Sequence, residues 1–467
     1  KNITDYFLGG RSIGPWVVAI SAKASDMSGW LFLGVPGIAY VYGISAFWML
    51  VSVGFWDSVL WYLIAKRLRR YSAMLGSLTM PEFFSDRLKD KRRIVQGVSA
   101  LLILFFMTAY VSAQMTAAGK ALSTTFKLEY TPALILGTII IVGYTLAGGF
   151  LSVSFTDLIQ GLMMVTALVI MPLVGLAAIG GWSGLISGLG EATAAGSQFD
   201  LLSVTGGEIG SAFVVGLLIS GFFTAAYGEP GIPHIVVRFM AAANARKLRM
   251  SALIGLIWVT LSLFGAIMIG LIARVYTLGS GGLADPETAL PFMAEQLFNP
   301  WITGLIMAAT LAAIMSTADS ELLVATSSLL RDLYERVLGR RGSDRQMLLY
   351  SRITMLIVVA MAFIIARIPG VIFFLVAFAW SGMAVAFAPL MVASLYWKRL
   401  TLAGALAAII GSFITCILWN FTPSLQGAIH FQFPAMIVSI VLLVLVSLFT
   451  KPPEGVAEEM AALKDVQ

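Results

Sequence analysis

The chain has 467 residues, of which 59% are hydrophobic and only 12% are charged, and its formal net charge at neutral pH is +6. A soluble domain averages about half apolar and about a quarter charged residues, so this composition excludes an ordinary soluble protein and predicts a helical protein that crosses a membrane several times. The single cysteine, Cys416, excludes an internal disulfide and a cysteine-based metal site, and two histidines are too few for a metal cluster.

Twelve apolar segments are predicted to be membrane-spanning helices, each of which needs about 20 mostly apolar residues. In chain order they lie at roughly 13–42, 45–66, 94–119, 131–148, 153–180, 208–240, 249–275, 299–332, 349–367, 370–397, 401–421 and 430–450. The first, sixth and eighth are long for one crossing, so we expect them to be tilted, broken or extended beyond the bilayer.

Lysine and arginine residues are concentrated in alternate loops. Residues 66–93 carry nine of them, residues 238–249 carry four, and residues 331–352 carry six. The loops on the other side, at 181–207 and 276–298, carry none. Under the positive-inside rule, the basic loops, the N-terminal residues and the C-terminal tail are therefore expected to face the cytoplasm.

The first predicted helix contains an unusual polar stretch. SAKASDMSGW, at 21–30, places Lys23, Asp26 and a run of small residues inside an apolar segment. A charge at mid-bilayer costs about 3 kcal/mol on insertion scales, so both side chains are expected to face protein or a water-filled cavity. Their spacing of three residues would allow them to share a helical face and partly neutralise one another.

The sixth predicted helix is interrupted as well. YGEPGIPH, at 227–234, has two glycines and two prolines in eight residues. Pro230 and Pro233 each remove a backbone donor and clash with the preceding turn, so the helix must break or kink there. Irregular backbone at membrane depth is tolerated only inside protein or beside water.

The two interruptions lie five helices apart, which favours an inverted repeat with a binding site at the midplane between broken helices. Residues 1–450 would then form one transmembrane domain, with 13–180 and 208–397 as its five-helix repeats, 401–450 as two additional helices and 451–467 as a short tail. The alternative is a bundle of proline-kinked helices without a transport site.

The eighth predicted helix carries two adjacent hydroxyls, Ser316 and Thr317, in the apolar stretch LAAIMSTADSELL. Hydroxyls, together with the freed carbonyls of an unwound helix, suit a weakly held, transported cation. The alternative is that each hydroxyl bonds only to a carbonyl one turn earlier in its own helix.

Several motifs together resemble a known family. They are LGGRS, SAKASDMSGW, LTMPEFFSDRLKD, GGFLSVSFTD, PHIVVRFMAA and LAAIMSTADSELL, and the resemblance runs from about Asp5 to the last helix. The chain resembles the sodium/solute symporter family, and its motifs look most like those of the sodium/proline symporters within it. The resemblance implies an all-α membrane protein with the LeuT-type fold, which has five plus five inverted helices and extra flanking helices. Family members carry one more helix before LGGRS, so an N-terminal helix is expected to be missing here.

The resemblance implies a sodium site between the first and eighth helices. Its expected ligands are the backbone carbonyls of Ala24, Met27 and Ala313 and the hydroxyls of Ser316 and Thr317. Sodium is then the co-transported ion.

Two aspartates are implied in sodium coupling. Asp26 matches an aspartate that is important for coupling in similar proteins, and Asp157 matches an acidic position that forms a second sodium site in some relatives. Such a second site usually includes another hydroxyl where this chain has Ala313, so one sodium ion per cycle is expected.

The resemblance places the solute above the ion. The expected contacts are Ser28 and Gly29 in the first helix, Tyr110 in the third, Trp380 in the tenth, and the break of the sixth helix.

The break of the sixth helix departs from the family pattern. Sodium/proline symporters resemble WGLGYFGQPH there, whereas this chain reads AAYGEPGIPH. Ala225 replaces the tryptophan, Glu229 replaces the tyrosine, and Tyr227 is a substitute from a shifted position. Glu229 is suited to pair with the ammonium group of an amino acid or of another cationic or zwitterionic solute. The alternative is a carboxylate that is hydrogen-bonded within the break.

The expected function is sodium-driven import of a small organic solute, with proline or a related amino acid as the expected solute. The expected partners are that solute, sodium and membrane lipid, without nucleic acid, and we expect a monomer in a bacterial inner membrane. The sequence has no nucleotide loop, metal cluster or nucleophile–base pair that would indicate an enzyme.

Two other functions are compatible with the sequence. Lys23 would suit proton-coupled transport of another small solute, in which a lysine amine takes the place of sodium. The second is a transporter-like sensor module. Because the tail after Lys451 is too short to hold a kinase, such a module would need a separate kinase.

Overall fold

The computed structural model describes residues 9–147, 150–205, 228–340, 342–368, 372–426 and 430–463. Within these ranges the regular structure is helical, and the extended backbone contact is an isolated bridge between Ile13 and Ala242. This agrees with the predicted all-α class, because a helix satisfies its own backbone hydrogen bonds in lipid.

The helices are numbered in chain order. They are α1 Pro15–Ala24, α2 Val35–Tyr42, α3 Phe47–Val59, α4 Lys66–Leu75, α5 Met80–Arg87, α6 Ile94–Phe126, α7 Tyr130–Ala147, α8 Phe150–Ala178, α9 Gly181–Ala194, α10 Pro233–Ala241, α11 Leu248–Tyr276, α12 Ala289–Leu297, α13 Pro300–Ser327, α14 Asp344–Ala366, α15 Ile372–Tyr396, α16 Leu402–Asn420, α17 Pro423–Gln426, α18 Gln432–Phe449 and α19 Val456–Ala462. Three π-helical segments continue or join them, at Trp30–Gly34, Leu60–Ala65 and Ser328–Val337.

Nine helical segments in the described ranges are long and apolar enough to cross a membrane. One of them, Trp30–Leu75, runs for 46 residues and covers both the end of the first predicted span and the whole second one. The fourth predicted span contains only a shorter apolar helix, Tyr130–Gly143. Most of the sixth, residues 208–227, lies outside the described residues. The count of twelve therefore stays a prediction.

Both interruptions predicted from the sequence are present. α1 ends at Ala24, residues 25–28 are irregular, and helical structure resumes before Trp30. In the second interruption, Glu229–Gly231 forms one 3-10 turn, Ile232 is extended, and α10 begins with Pro233 at its first position. The fixed backbone angle of proline and its missing N–H favour the first position of a helix, which Pro233 occupies.

Two helices run further than predicted. The second span continues through α4 to Leu75 rather than ending at residue 66, and α6 continues to Phe126 rather than to residue 119. α4 is amphipathic, and its arginines are held by backbone carbonyls of other elements: Arg67 donates to Leu395 and Arg69 donates to Ala242. These tertiary contacts stabilise a helix whose charged sequence does not predict a membrane-spanning segment.

The long helices enclose α13, which packs against α6 and α8. α1 packs against α8 and α11, and α15 packs against α6 and against the turn Glu229–Gly231. The contact between α1 and α8 is close because Gly161 has no side chain; a Cβ there would lie 2.4 Å from Cγ2 of Ile20. α16 and α18 pack on each other beside α15. The two interruptions therefore lie in the interior of the bundle.

We call the end of the bundle formed by residues 66–93, 242–249 and 331–340 the basic face. Arg87 is buried there; its Nε donates to the Ser394 carbonyl at 2.9 Å and its Nη2 to the Trp397 carbonyl at 3.1 Å. Burial lowers the pKa of Arg87, but an arginine keeps its charge at neutral pH. The guanidinium thus joins α5 to the end of α15.

Ion pairs also close the basic face. Glu82 is fully buried in α5 and pairs with Arg331 at 3.2 Å and with Arg336. The neighbouring Asp332 accepts a hydrogen bond from Gln96 at 2.7 Å. These contacts tie the continuation of α13 to α5 and α6.

The C-terminal helix α19 packs onto the basic face. Its apolar residues Val456 and Met460 are buried. Glu459 accepts a hydrogen bond from the Tyr71 hydroxyl at 2.9 Å and pairs with Lys89. Residues 456–463 are therefore docked on the bundle rather than extended from it.

Candidate functional site

The interruption after α1 frees the backbone carbonyl of Ala24. In a continuous helix the Ser28 amide would donate to this carbonyl. Here the Ser28 amide donates to the backbone carbonyl of Asp26 at 3.1 Å instead, while the Asp26 and Met27 amides both donate to the backbone carbonyl of Lys23. A run of small and polar residues makes this tight turn sterically acceptable. The Ala24 oxygen is therefore available to another element.

Two hydroxyls of α13 contact that oxygen. Ser316 Oγ lies 2.8 Å and Thr317 Oγ1 lies 3.4 Å from the Ala24 carbonyl oxygen. The same hydroxyls lie 3.0 and 3.3 Å from the carbonyl oxygen of Ala313. Four of the five expected ligands thus converge in a buried place. Uncharged oxygens in this arrangement suit a hard cation that is bound and released.

Met27 and Asp26 lie in the same interruption, and both are buried. The Trp380 ring N–H donates to Asp26 Oδ1 at 3.2 Å, and the Trp30 ring N–H donates to the Asp26 carbonyl at 3.0 Å. The first bond holds the Asp26 side chain toward α15, and the second fixes its backbone within the interruption. Asp26 is thereby bonded to Trp380, one of the expected solute residues. All five sodium ligands, including the Met27 carbonyl, stay predictions.

Lys23 forms ion pairs with Asp57 and Glu229 rather than with Asp26. Asp57 lies in α3 and Glu229 in the turn before α10, and all three charged side chains are at most 2% exposed. Asp57 was not among the site residues predicted from the sequence. It is the lone carboxylate of an otherwise apolar predicted span, and such a carboxylate indicates a functional or paired residue.

Asp157 is held by a buried arginine that the sequence reading also missed. Arg238 Nη2 donates to Asp157 at 2.8 Å and to Ser320 Oγ at 2.7 Å, and Arg238 Nε donates to Ser21 Oγ at 2.6 Å. Ser21 in turn donates to Asp157 at 2.6 Å. This network joins α1, α8, α10 and α13. The sequence feature that could have indicated Arg238 is its position in PHIVVRFMAA, next to the break.

The expected solute residues are buried around the first interruption. The Gly29 amide lies 3.4 Å from Gln114 Oε1, and a Cβ on Gly29 would lie 2.6 Å from the Cβ of Ala117. Ser28 and Tyr110 are fully buried. The chain therefore passes so close to α6 that only glycine fits at position 29.

Three further residues, Tyr110, Trp380 and Tyr227, were predicted to contact the solute. The Tyr110 ring packs edge-on against the His234 ring, with centroids 6.0 Å apart, which places α6 beside the start of α10. Trp380 is half-buried and bonded to Asp26. Tyr227, like Ala225, lies outside the described residues.

Residues 6–411 match the model of the sodium:solute symporter family. The high-affinity proline transporter PutP of Bacillus subtilis (strain 168) is 37% identical over 458 residues, covering 97% of this chain and 94% of that protein. The sodium/proline symporter of Staphylococcus aureus is 36% identical over 478 aligned positions, covering 100% of this chain and 91% of that protein.

The fold is similar to those of solved transporters. A substrate-bound, outward-open Na+-coupled sialic acid symporter matches with a TM-score of 0.77 at 19% identity, over 97% of this chain and 93% of that chain. The transporter Mhp1 in a closed conformation matches with a TM-score of 0.58 at 13% identity, over 99% of each chain. These likenesses concern the fold, and they confirm the predicted LeuT-type arrangement.

Proposed function

The chain belongs to the sodium:solute symporter family, and from this premise we propose that it imports L-proline, or a closely related amino acid, together with sodium. Family membership makes the protein a sodium-coupled transporter rather than an enzyme. Proline is proposed because relatives that match nearly the whole chain are named as a proline transporter and a sodium/proline symporter.

The observation that carries the ion assignment is the convergence of Ser316 and Thr317 on the Ala24 and Ala313 carbonyls. Sodium would bind where these hydroxyls now donate to the two carbonyls, after the hydroxyl hydrogens have rotated away. Met27 would supply a fifth oxygen. Neutral ligands keep the affinity moderate, which a transported ion requires because it must also leave.

Coupling follows from the position of this ion. Sodium would join α1 to α13, which belong to the opposite proposed repeats at 13–180 and 208–397. An ion that bridges two repeats stabilises the arrangement in which they are close, and a bound ion can shift an equilibrium only by such a differential affinity. The same arrangement forms the solute site at Ser28 and Gly29. Sodium and solute therefore raise each other's affinity reciprocally.

One sodium ion per cycle is proposed. Asp157 would be the carboxylate of a second ion site, but the Arg238 guanidinium already pairs with it, and Ser320 is bonded to the same guanidinium nitrogen. A fixed positive charge disfavours a second cation at this position. Asp157 would then act on sodium coupling by positioning α1 through Ser21.

The solute is proposed to lie between the first interruption and α15. The helix that resumes after Gly29 directs free amide groups and a positive dipole end toward a solute carboxylate. Ser28, Tyr110 and Trp380 would surround the apolar part of the solute. Glu229, from the second interruption, would face its amine.

The protein is proposed to act as a monomer in the inner membrane of a bacterium. The basic face would lie in the cytoplasm, together with the C-terminal tail, because lysine and arginine are retained on that side. The additional helices at 401–450 would flank the two repeats. The lipid-facing positions carry many exposed large apolar side chains, as a membrane protein requires.

Uptake into right-side-out membrane vesicles tests the proposal. An inward sodium gradient should drive accumulation of radiolabelled L-proline, whereas a pH gradient without sodium should not. Accumulation with the pH gradient alone would favour the proton-coupled alternative. Lack of accumulation with either gradient, for every amino acid tried, would contradict transport and favour the sensor alternative.

A further inference from the structure

Lys23, Asp57 and Glu229, which we call the ion triad, pair with one another and are not among the expected sodium ligands. Lys23 lies in the last turn of α1, Asp57 in α3, and Glu229 in the turn before α10. Burying three charges away from water is expensive, and replacing such a group by apolar residues is often neutral or stabilising. Stability alone is therefore a weak explanation for these residues.

The two carboxylates hold Lys23 unequally. Asp57 Oδ1 makes a short, direct contact with the Lys23 ammonium. Both oxygens of Glu229 lie 3.4 Å from the same nitrogen, whereas a strong charge-assisted hydrogen bond is about 2.7–2.9 Å long. Lys23 therefore pairs closely with Asp57 and only weakly with Glu229.

The triad has a deficit of positive charge. One ammonium faces two carboxylates, and Asp26 adds a third carboxylate that interacts electrostatically with Lys23 and Glu229. In addition, Asp57 Oδ2 is buried and accepts no hydrogen bond from a donor among the described residues, and the Asp57 and Glu229 carboxyls lie close to each other. A buried excess of negative charge attracts a further cation.

Glu229 lies next to the proposed solute position. The preceding residue, Gly228, approaches α15 so closely that a Cβ would lie 3.1 Å from Cζ3 of Trp380. Trp380 in turn donates to Asp26. A solute amine held between Trp380 and the first interruption would therefore be within reach of Glu229.

We propose that Lys23 is a tethered counter-cation that occupies Glu229 until the amine of the solute takes its place. Asp57 retains the displaced lysine, and its free Oδ2 accepts the ammonium that leaves Glu229. Before the exchange the two carboxylates share one ammonium, and after it Asp57 and Glu229 each have a cation of their own. It also makes a positively charged amine a requirement for tight binding, so Lys23 and Asp57 set specificity without touching the solute. This proposal rests on a solute amine being recognised at Glu229.

Equilibrium binding to the purified full-length protein in sodium tests the exchange. Each amino acid of a panel is paired with the acid that lacks its amine, for example L-proline with cyclopentanecarboxylate. The double variant Lys23→Met/Asp57→Asn removes the competing ammonium and one carboxylate together, so the net charge is conserved and Glu229 is free. It should bind the amino acid at least threefold more tightly and leave the affinity of the amine-free acid unchanged.

The variant Glu229→Gln is the matched second test, because it conserves the size of the side chain. It should weaken binding of the amino acid about tenfold and leave the amine-free acid unaffected, so that discrimination between the pair is lost. Melting temperature and gel filtration confirm that each variant is folded. The proposal is overturned if the folded double variant binds the amino acid no more tightly, or if Glu229→Gln retains discrimination.

The panel separates this proposal from the assignment of proline. If proline fails to bind but another amino acid binds with sodium, the proposed solute is wrong and the exchange is decided with that other pair. If the protein binds amine-free acids as tightly as amino acids, the exchange is wrong and sodium-coupled transport is unaffected. If no pair binds in sodium, both proposals are wrong.

Discussion

The Ser316 hydroxyl lies 2.8 Å from the carbonyl oxygen of Ala24, although the two residues are 292 positions apart in the chain. This contact joins α13 to the free end of α1, and it brings together two oxygens that a sodium ion would share. The relationship is unusual for a serine in an apolar helix, whose hydroxyl ordinarily bonds only within its own helix.

Removing either hydroxyl should weaken sodium binding. We expect Ser316→Ala and Thr317→Val each to raise the sodium concentration for half-maximal uptake at least about tenfold, because one oxygen ligand to a charged ion is worth roughly 1.5–3 kcal/mol. The matched control is Thr310→Val on the same helix, whose buried hydroxyl bonds to the Ile306 carbonyl. Uptake measured against sodium concentration checks this. An unchanged sodium dependence in both site variants would contradict the ion assignment.

Gly29 is expected to tolerate no side chain. In Gly29→Ala the new Cβ would lie 2.6 Å from the Cβ of Ala117 and 3.1 Å from Cγ1 of Ile314. Overpacking of this kind costs about 1–3 kcal/mol, and here it would separate the interruption from α6 and α13. We expect at least a tenfold loss of uptake and a lower melting temperature.

Gly54→Ala provides the control for that variant. Gly54 lies in α3, and a Cβ there would meet no atom within 4 Å. Because alanine is the better helix former by about 1 kcal/mol, the control should be as stable as the parent and fully active. Equal losses in the two variants would show that the close approach at Gly29 is not the cause.

The features that could be predicted from the sequence are those that depend on residues close together in the chain. Apolar length predicted most helices, and the glycines, prolines and charges inside them predicted both interruptions. The hydroxyl pair at Ser316 and Thr317 marked one half of the ion site only through the motif LAAIMSTADSELL, because a hydroxyl in an apolar helix ordinarily bonds within its own helix.

The missed features depend on contacts between distant segments. Nothing near Lys23 in the sequence indicates that its partners are Asp57, 34 positions away, and Glu229, 206 positions away. The spacing rule pairs Lys23 with Asp26, but that rule assumes a continuous helix, and α1 ends between the two residues. The charged segment of α4 is likewise held by hydrogen bonds from Arg67 and Arg69 to distant carbonyls, although its end at the left-handed Gly76 is a local sequence signal.

The Arg238–Asp157 pair should show strong energetic coupling. Asp157→Asn leaves a buried guanidinium without its counter-charge, which costs about 3–5 kcal/mol. The double variant Asp157→Asn/Arg238→Gln removes both charges and should recover part of that loss. A double-mutant cycle on thermal unfolding in detergent measures the coupling.

The same variants test the number of sodium ions. Because the guanidinium occupies the proposed second position, the parent protein should show a Hill coefficient near one for sodium in uptake. A coefficient near two that falls to one in Asp157→Asn would contradict a single ion, and it would assign a bound sodium to Asp157. Additive losses in the cycle would separately contradict the structural role of the pair.

Detaching the C-terminal helix should need only one charge on its inner face. Met460 is 5% exposed where α19 packs on the basic face, whereas the adjacent Ala461 faces solvent. Met460→Glu would bury a carboxylate, and the least costly response is release of the helix, because the partly exposed pair of Glu459 with Lys89 contributes only about 0–1 kcal/mol. Ala461→Glu adds the same charge on the outer face and should change nothing.

Hydrogen exchange of residues 456–463 should therefore become fast in Met460→Glu and stay slow in Ala461→Glu. Uptake is a separate readout of whether the docked tail restrains the basic face. Slow exchange in both variants would mean that the tail is held by its polar contacts rather than by its buried apolar residues.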